Sequence, residues 1–209
     1  MPRTIQRFAD PREFAIVTPP RDQEGEMAYG LSGTGCKLIE VVKQLKDVHK
    51  DDFLLEVENP ILLEVPFEGE LPVELGGDES DPLSTVKIKV TAVGSMRRTK
   101  NMEGARVFSV EATEGAPATL GRSEDCTVVL DSEGVSRNHA EVHYGGGQYF
   151  LVDLASHNGS YVNKKKAPAK EKVALDERCQ LWFGSFRTVF MSPEHFYDLA
   201  ATLAGRPEA

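Results

Sequence analysis

The sequence has no apolar run that approaches the roughly 20 residues a membrane-spanning helix needs. Its start, Met1 to Phe14, has no apolar centre of the kind a secretion signal carries. A cytoplasmic protein without membrane insertion is expected. Cysteine is scarce: Cys36, Cys126 and Cys179 stand singly, with no CxxC pair. That spacing argues against a disulfide framework or a zinc site and for small buried thiols. Positive charge is in deficit, with 24 Lys and Arg against 33 Asp and Glu and a net charge of −9. A polyanion would be repelled, so no nucleic acid is expected as a partner.

Enzyme signals are missing too. Ser136 and His139 lie close in sequence, but no Gly-x-Ser-x-Gly elbow surrounds the serine and no orienting acid is identifiable. His139 and His143 are four apart in an alternating, strand-like stretch, without the glutamate of HExxH. No catalytic residue, metal or cofactor is expected.

What is present reads as an ordinary soluble globular chain, 40% hydrophobic and 27% charged, whose 209 residues suffice for one large or two small domains. Glu13 to Thr18 reads as a strand stopped by Pro19-Pro20, and Arg21 to Glu26 as a loop. The segment Tyr29-Gly30-Leu31-Ser32-Gly33-Thr34-Gly35 enters an amphipathic helix expected from about Cys36 to His49, with Thr34 as cap. A glycine-rich helix entry can hold phosphate, but the Lys-Ser pair of a nucleotide P-loop is absent, and a flexible entry is the plainer reading. Asp51 to Asp81 contains no Lys or Arg and alternates Leu, Val and Ile with Glu, which predicts two or three strands with an acidic face. The Gly76-Gly77-Asp78-Glu79-Ser80-Asp81-Pro82 stretch is the best domain boundary.

Beyond it, Thr85 to Val93 alternates as a strand, and its loop carries Arg97, Arg98 and Lys100. A second basic group is Lys164 to Lys166 with Lys170 and Lys172. Gln180 to Phe183 and Phe186 to Phe190 read as strands of a hairpin turning at Gly184-Ser185, with Trp182 a core anchor. Ser192-Pro193-Glu194 is a helix start, and Phe196, Leu199, Ala200 and Leu203 give that helix one apolar face.

Three clusters of phosphate-competent side chains punctuate the middle of this pattern. Gly121-Arg122-Ser123 closes the extended Ala118 to Leu120. Val135-Ser136-Arg137-Asn138-His139 is a polar knot feeding a strand. Ser156-His157-Asn158-Gly159-Ser160 follows the strand-like Tyr149 to Leu154, and its Asn-Gly pair is typical of a tight turn between paired strands. Arg, Ser and Asn are the donors suited to an anion with several acceptor oxygens, and an arginine fork meets a phosphorylated side chain with paired, charge-assisted hydrogen bonds.

In order and spacing, "GRS", "VSRNHAEV" and "SHNGSYVN" resemble the forkhead-associated (FHA) family, over about half the chain from near Thr85 to near Met191. The resemblance implies that Arg122, Ser136, Arg137 and Asn158 contact a phosphothreonine peptide, with Arg137 assisting or selecting sequence. Gly121, Ser123, His139, His157 and Gly159 would support the loops. It departs from the family pattern at Asn163-Lys164, where many members have Asn-Gly, so that hairpin is expected to turn differently. A fainter likeness, Arg3-Thr4-Ile5-Gln6-Arg7 with Leu31 to Gly35, is to PilZ domains, the receptors for cyclic diguanylate.

The expected fold is mainly β. An FHA-type β-sandwich over 84–191 is preceded by a small α+β region over 1–82 of unknown function and followed by a helix over 192–205 that packs on the body. The implied function is non-catalytic phosphothreonine-peptide binding in signal transduction, the partner being a Ser/Thr kinase or its substrate. The rival is phospho-independent assembly through the acidic N-terminal region. The protein's own Thr4 and Thr18 are further candidates for phosphorylation.

Overall fold

Ile61, Leu62 and Leu63 are apolar in succession, and a strand with such a run has to be covered on both faces. In the computed structural model, which describes residues 28–65 and 104–205, that strand is β2 (Ile61–Glu64). It lies inside a seven-stranded sheet whose order is β1 (Cys36–Lys37), β3 (Arg106–Ser109), β2, β12 (Phe186–Met191), β11 (Arg178–Phe183), β8 (Ser160–Val162) and β9 (Lys165–Lys166). Facing it is a five-stranded sheet, β10 (Lys172–Leu175), β7 (Gln148–Asp153), β6 (Ala140–Gly145), β4 (Ala118–Gly121) and β5 (Val128–Val129). All neighbours are antiparallel except β4 and β5.

Strand alternation decides which side chains fill which core. Leu62 joins Phe108, Leu120, Val142, Leu151, Leu181, Phe183 and Phe190 between the sheets. Its neighbours Ile61 and Leu63 join Val107, Val189 and Met191 on the opposite face, under α1 (Leu38–Gln44), α2 (Lys50–Glu56) and α3 (Pro193–Leu203). The result is three layers: helices, sheet, sheet. Phe53 of α2 is the centre of the helical layer, fully buried against Tyr29, Tyr197 and Phe196 at ring separations of 5.2, 5.5 and 6.2 Å. Ser192 caps α3 by accepting from the His195 N–H, with Pro193 in the first turn.

Several sequence expectations are corrected. The boundary at Gly76 to Pro82 does not separate two packed units, because β2, from before it, lies hydrogen-bonded between β3 and β12, from after it. Sheet membership is set by pairing partners far away in sequence, which a shift in composition does not report. The stretch after Asp51 opens as helix, not strand. Asp51 and Asp52 sit in its first turn, where acids favour a helix, and the spacing of Phe53 and Val57 puts both in the helical core. The expected helix from Cys36 is shorter: Cys36–Lys37 pairs with Val107 and Arg106 as a strand, and a 3-10 turn over Leu45–Asp47 follows α1. Thr34 caps nothing; its hydroxyl meets that of Ser32 at 2.9 Å.

Trp182 is not a core anchor. Leu181 and Phe183 take the inward positions, which leaves Trp182 half-buried on the other face with the Arg187 guanidinium 4.9 Å over its ring. The Gly184-Ser185 hairpin forms as expected, pairing Phe183 with Phe186. The expected strands at Glu13 to Thr18 and Thr85 to Val93, the basic loop at Arg97 to Lys100, and Arg3 to Arg7 with Thr4 and Thr18 lie outside the described residues.

Gly33 and Gly35 owe their identity to packing rather than to a ligand or a flexible entry. A Cβ on Gly33 would lie 1.6 Å from the Thr127 carbonyl oxygen, and one on Gly35 would lie 2.5 Å from the Phe108 ring. The Gly33 carbonyl accepts from the Val129 N–H, and the Ser32 carbonyl from the Ser109 N–H, so this segment is bound to both sheets. Because β2 serves two cores, Leu62→Ala and Leu63→Ala should each cost about 2 to 5 kcal/mol. The expected readout is one earlier chemical-denaturation transition, seen alike by helical and sheet signals. A separate early loss of helix in Leu63→Ala would show that the N-terminal segment is an independent unit.

Candidate functional site

Gly121 ends β4 where a Cβ would lie 2.0 Å from the Arg137 carbonyl oxygen, so only glycine lets these two backbones meet. There the Arg122 N–H donates to Ser136 O at 2.9 Å and the Ser123 N–H to Arg137 O at 3.1 Å. The first two clusters are therefore one stitched unit. The third is tied to the second: the His157 N–H donates to Ser136 Oγ at 3.1 Å, and Asn158 Nδ2 donates to Gly134 O at 2.9 Å.

The Asn158-Gly159 pair does not turn a hairpin. β7 belongs to the five-stranded sheet and β8 to the seven-stranded one, so these residues cross between sheets, with Gly159 at φ +76°. The hairpin turn comes later, at Asn163 and Lys164, both with positive φ (48° and 68°), between Val162 and Lys165, which pair. It is a two-residue turn despite the lysine, because Asn163 and Lys164 both accept the left-handed backbone that tight hairpins require.

Behind the rim, His139 is fully buried. Its Nδ1 accepts from the Ser136 N–H at 3.0 Å, and its Nε2 faces the Gly159 carbonyl at 3.3 Å. An amide has only a proton to give and a carbonyl only lone pairs, which dictates the neutral Nε2–H tautomer. Burial holds the His139 pKa below its ordinary value, against the opposing influence of the Gly159 carbonyl and Asp153. Burial by itself pushes the Asp153 carboxyl up, but hydrogen bonds from Ser160 Oγ (2.6 Å), Ser156 Oγ (2.7 Å) and the Ser156 N–H (3.0 Å), with His139 nearby, bring it below the ordinary carboxylate range.

Four side chains retain donors for a ligand. Arg122 and Arg137 are exposed, and among the described residues neither guanidinium has an ion pair or hydrogen bond. Ser136 Oγ accepts from His157 and keeps its own proton, and Asn158 keeps its second amide proton. Ser123 differs: its hydroxyl donates to Asp125 at 3.1 Å and shapes the turn.

Sequence reasoning passed over three residues that build the rim. The Gly134 carbonyl fixes Asn158, the Asp153 carboxylate ties down Ser156 and Ser160, and Cys126 Sγ donates to Arg137 O at 3.3 Å. The one available signal was the serine spacing after Asp153. His143, weighed as a metal ligand, instead contacts Glu141 at 2.7 Å, and no group of metal-ligating side chains occurs among the described residues.

The family model described as the FHA domain matches residues 118–184. An oxoglutarate dehydrogenase inhibitor of Corynebacterium efficiens is 32% identical over 128 residues, covering 60% of this chain and 85% of that one. The chain belongs to the forkhead-associated (FHA) family. A second relative, the glycogen accumulation regulator GarA of Mycolicibacterium smegmatis, is 30% identical and aligns with 73% of this chain and 84% of its own length. A solved structure from work on phosphothreonine-dependent FHA interactions is 25% identical with a TM-score of 0.38, covering 44% of this chain and 88% of that one. The segment matched by the FHA model contains all three rim clusters, and β1, β2, β3 and β12 complete the larger FHA sheet from outside it.

Acid should loosen this FHA rim. Unfolded His139 takes its proton near the ordinary value of 6.5, whereas the folded residue takes it only at lower pH. The unfolded state then binds more protons in that window, so stability present above about 6.5 is lost as pH falls through it. Asp153 acts in the same sense, but only below its ordinary value of 3.8. The denaturation midpoint should decline from pH 7 to 5, and His139→Gln should have a lower midpoint at pH 7 and a shallower decline.

Proposed function

We propose that the protein is a non-catalytic adaptor that binds phosphothreonine segments of a partner protein, a Ser/Thr kinase or its substrate, in the cytoplasm. One observation carries this reading: two exposed guanidiniums without partners among the described residues stand on backbones stitched beside the Ser136 hydroxyl and the Asn158 amide. Arg122 supplies the main charge, Ser136 and Asn158 fix the phosphate and the peptide backbone, and Arg137 assists or selects sequence. The recognition unit is the sandwich formed by the strands from Arg106 to Met191 together with β1 and β2. The relatives' names describe an inhibitor and a regulator, which supports a role exerted by binding rather than chemistry.

The net charge of −9 does not oppose this. Salt shortens the reach of distant carboxylates to roughly 8 to 10 Å, and a phosphate at the rim responds to the nearest guanidiniums.

Titration of the full chain with matched phosphorylated and unphosphorylated peptides tests the reading. Only the phosphorylated form should bind; equal binding to both would overturn the reading and favour phospho-independent docking. Arg122→Ala should lose ~1.5 to 3 kcal/mol of binding, or roughly ten- to a hundredfold in Kd. Affinity should also weaken with added salt, and should fall as pH drops through about 6, where the phosphate gains its second proton.

A further inference from the structure

A phosphate seat alone does not select among phosphorylated segments, and the charges beside it are unevenly placed. The two-residue turn at Asn163 and Lys164 sets Tyr161 opposite Lys166 and Val162 opposite Lys165. Side chains alternate along a strand, so Lys165 shares the face of buried Val162, while Lys166 shares the face of Tyr161 and of Gly159, two residues before it. The lysine stem lies across that glycine. A Cβ on Gly159 would be 2.7 Å from Lys166 Cε and 3.4 Å from Nζ.

This contact lays the methylenes on backbone and holds the ammonium one residue from Asn158. Lys166 is exposed, and among the described residues it has no ion pair or hydrogen bond. The flank beyond Arg122 carries the opposite sign: Glu124 and Asp125 are both exposed, and Asp125 is held in place by Ser123. The carboxylates thus follow Arg122 by two and three residues, and the ammonium lies against Gly159, the residue after Asn158.

We infer that Lys166 is the specificity-determining cation of this rim, which takes a phosphopeptide placing an Asp or Glu carboxylate on the Asn158 side and disfavours one placing carboxylates on the Glu124 side. The inference rests on the phosphothreonine reading and adds the charge polarity of the ligand to it. Lys166 acts through a solvent-exposed pair, so its contribution is a modest factor laid over the phosphate's larger one. Glu133, exposed beside the Gly134 carbonyl that fixes Asn158, is the nearby acid that would oppose it.

The test is a set of phosphothreonine peptides in which Glu or Lys replaces each flanking residue in turn, titrated against the full-length protein and its variants. The wild type should prefer Glu over Lys about two- to fivefold at positions on one side of the phosphothreonine. In Lys166→Ala that ratio should collapse towards one, and in Lys166→Glu it should invert. Arg122→Ala should weaken the Glu and Lys peptides alike and keep their ratio, and Glu133→Gln should raise it. Denaturation midpoints matching the wild type would establish that each variant is folded. A Lys166→Ala protein with the wild-type ratio would overturn the assignment of Lys166 while leaving phosphate recognition standing. Equal wild-type binding of phosphorylated and unphosphorylated peptides would overturn both.

Discussion

A neutral imidazole with both nitrogens engaged connects the two sheets at the rim. His139 opens into β6 of the five-stranded sheet, yet its Nε2 faces the Gly159 carbonyl at the entry to β8 of the seven-stranded sheet. Its ring also stands edge-on to Phe183 at 5.7 Å. The other nitrogen holds the Ser136 amide, so a single side chain sets the position of the second cluster relative to the third. A neutral imidazole places an acceptor and a donor on separate edges of one flat ring, which lets it bridge the two backbones. Asp153 complements it by fixing the serines on either side of Asn158. The exposed arginines sit on a framework pinned by these bonds, and among the described residues their own guanidiniums have no ion pair or hydrogen bond.

The sandwich could be read from the sequence where one face of a strand is buried and the other is not. Ala118 to Leu120 and Gln180 to Phe183 alternate, and they fold as strands. The same rule misled where alternation had another cause. Leu55 and Glu56 lie on an exposed helical surface, Leu55 being 77% accessible, while Phe53 and Val57 are buried in the core and Leu54 packs partly against it. The rim residues were legible as types, since Arg, Ser and Asn declare their donors. Their meeting was not, because it depends on the contact of Gly121 with Arg137 and on Gly134 reaching Asn158, 24 positions later. Backbone carbonyls carry no residue-type signature, so a sequence pattern cannot announce them.

The helical layer has a mechanical consequence for that rim. β2 and β12 are apolar on both faces, so the sheet carrying β8 and β11 is clamped between two cores. A sheet packed on one side can twist or slide with little loss, whereas one packed on both cannot move without opening contacts somewhere. β11 pairs with β8, and β8 begins immediately after Gly159. The position of Asn158 is thus inherited, through paired strands, from packing on the far face of the sheet. The α1 to α3 layer helps to fix the rim from the far side of the sheet.

Electrostatics complete the argument, because a chain with 33 acids against 24 bases has to concentrate its positive charge to hold an anion. Two unit charges 4 Å apart at a protein surface interact by about 4 kcal/mol at an effective dielectric of 20, and this falls both with distance and with salt. A pair of guanidiniums within hydrogen-bond reach therefore outweighs many carboxylates a screening length away. The excess negative charge is then free to act elsewhere, repelling polyanions and discouraging non-specific contacts. Near the rim the balance becomes local and directional. In the proposed reading, Glu124 and Asp125 beside Arg122 and Lys166 beside Gly159 give the surroundings of the phosphate a gradient of charge. A ligand that aligned its own charges against that gradient would lose part of what its phosphate gained. Net charge and binding sign can thus disagree in one molecule, because they are decided at different distances.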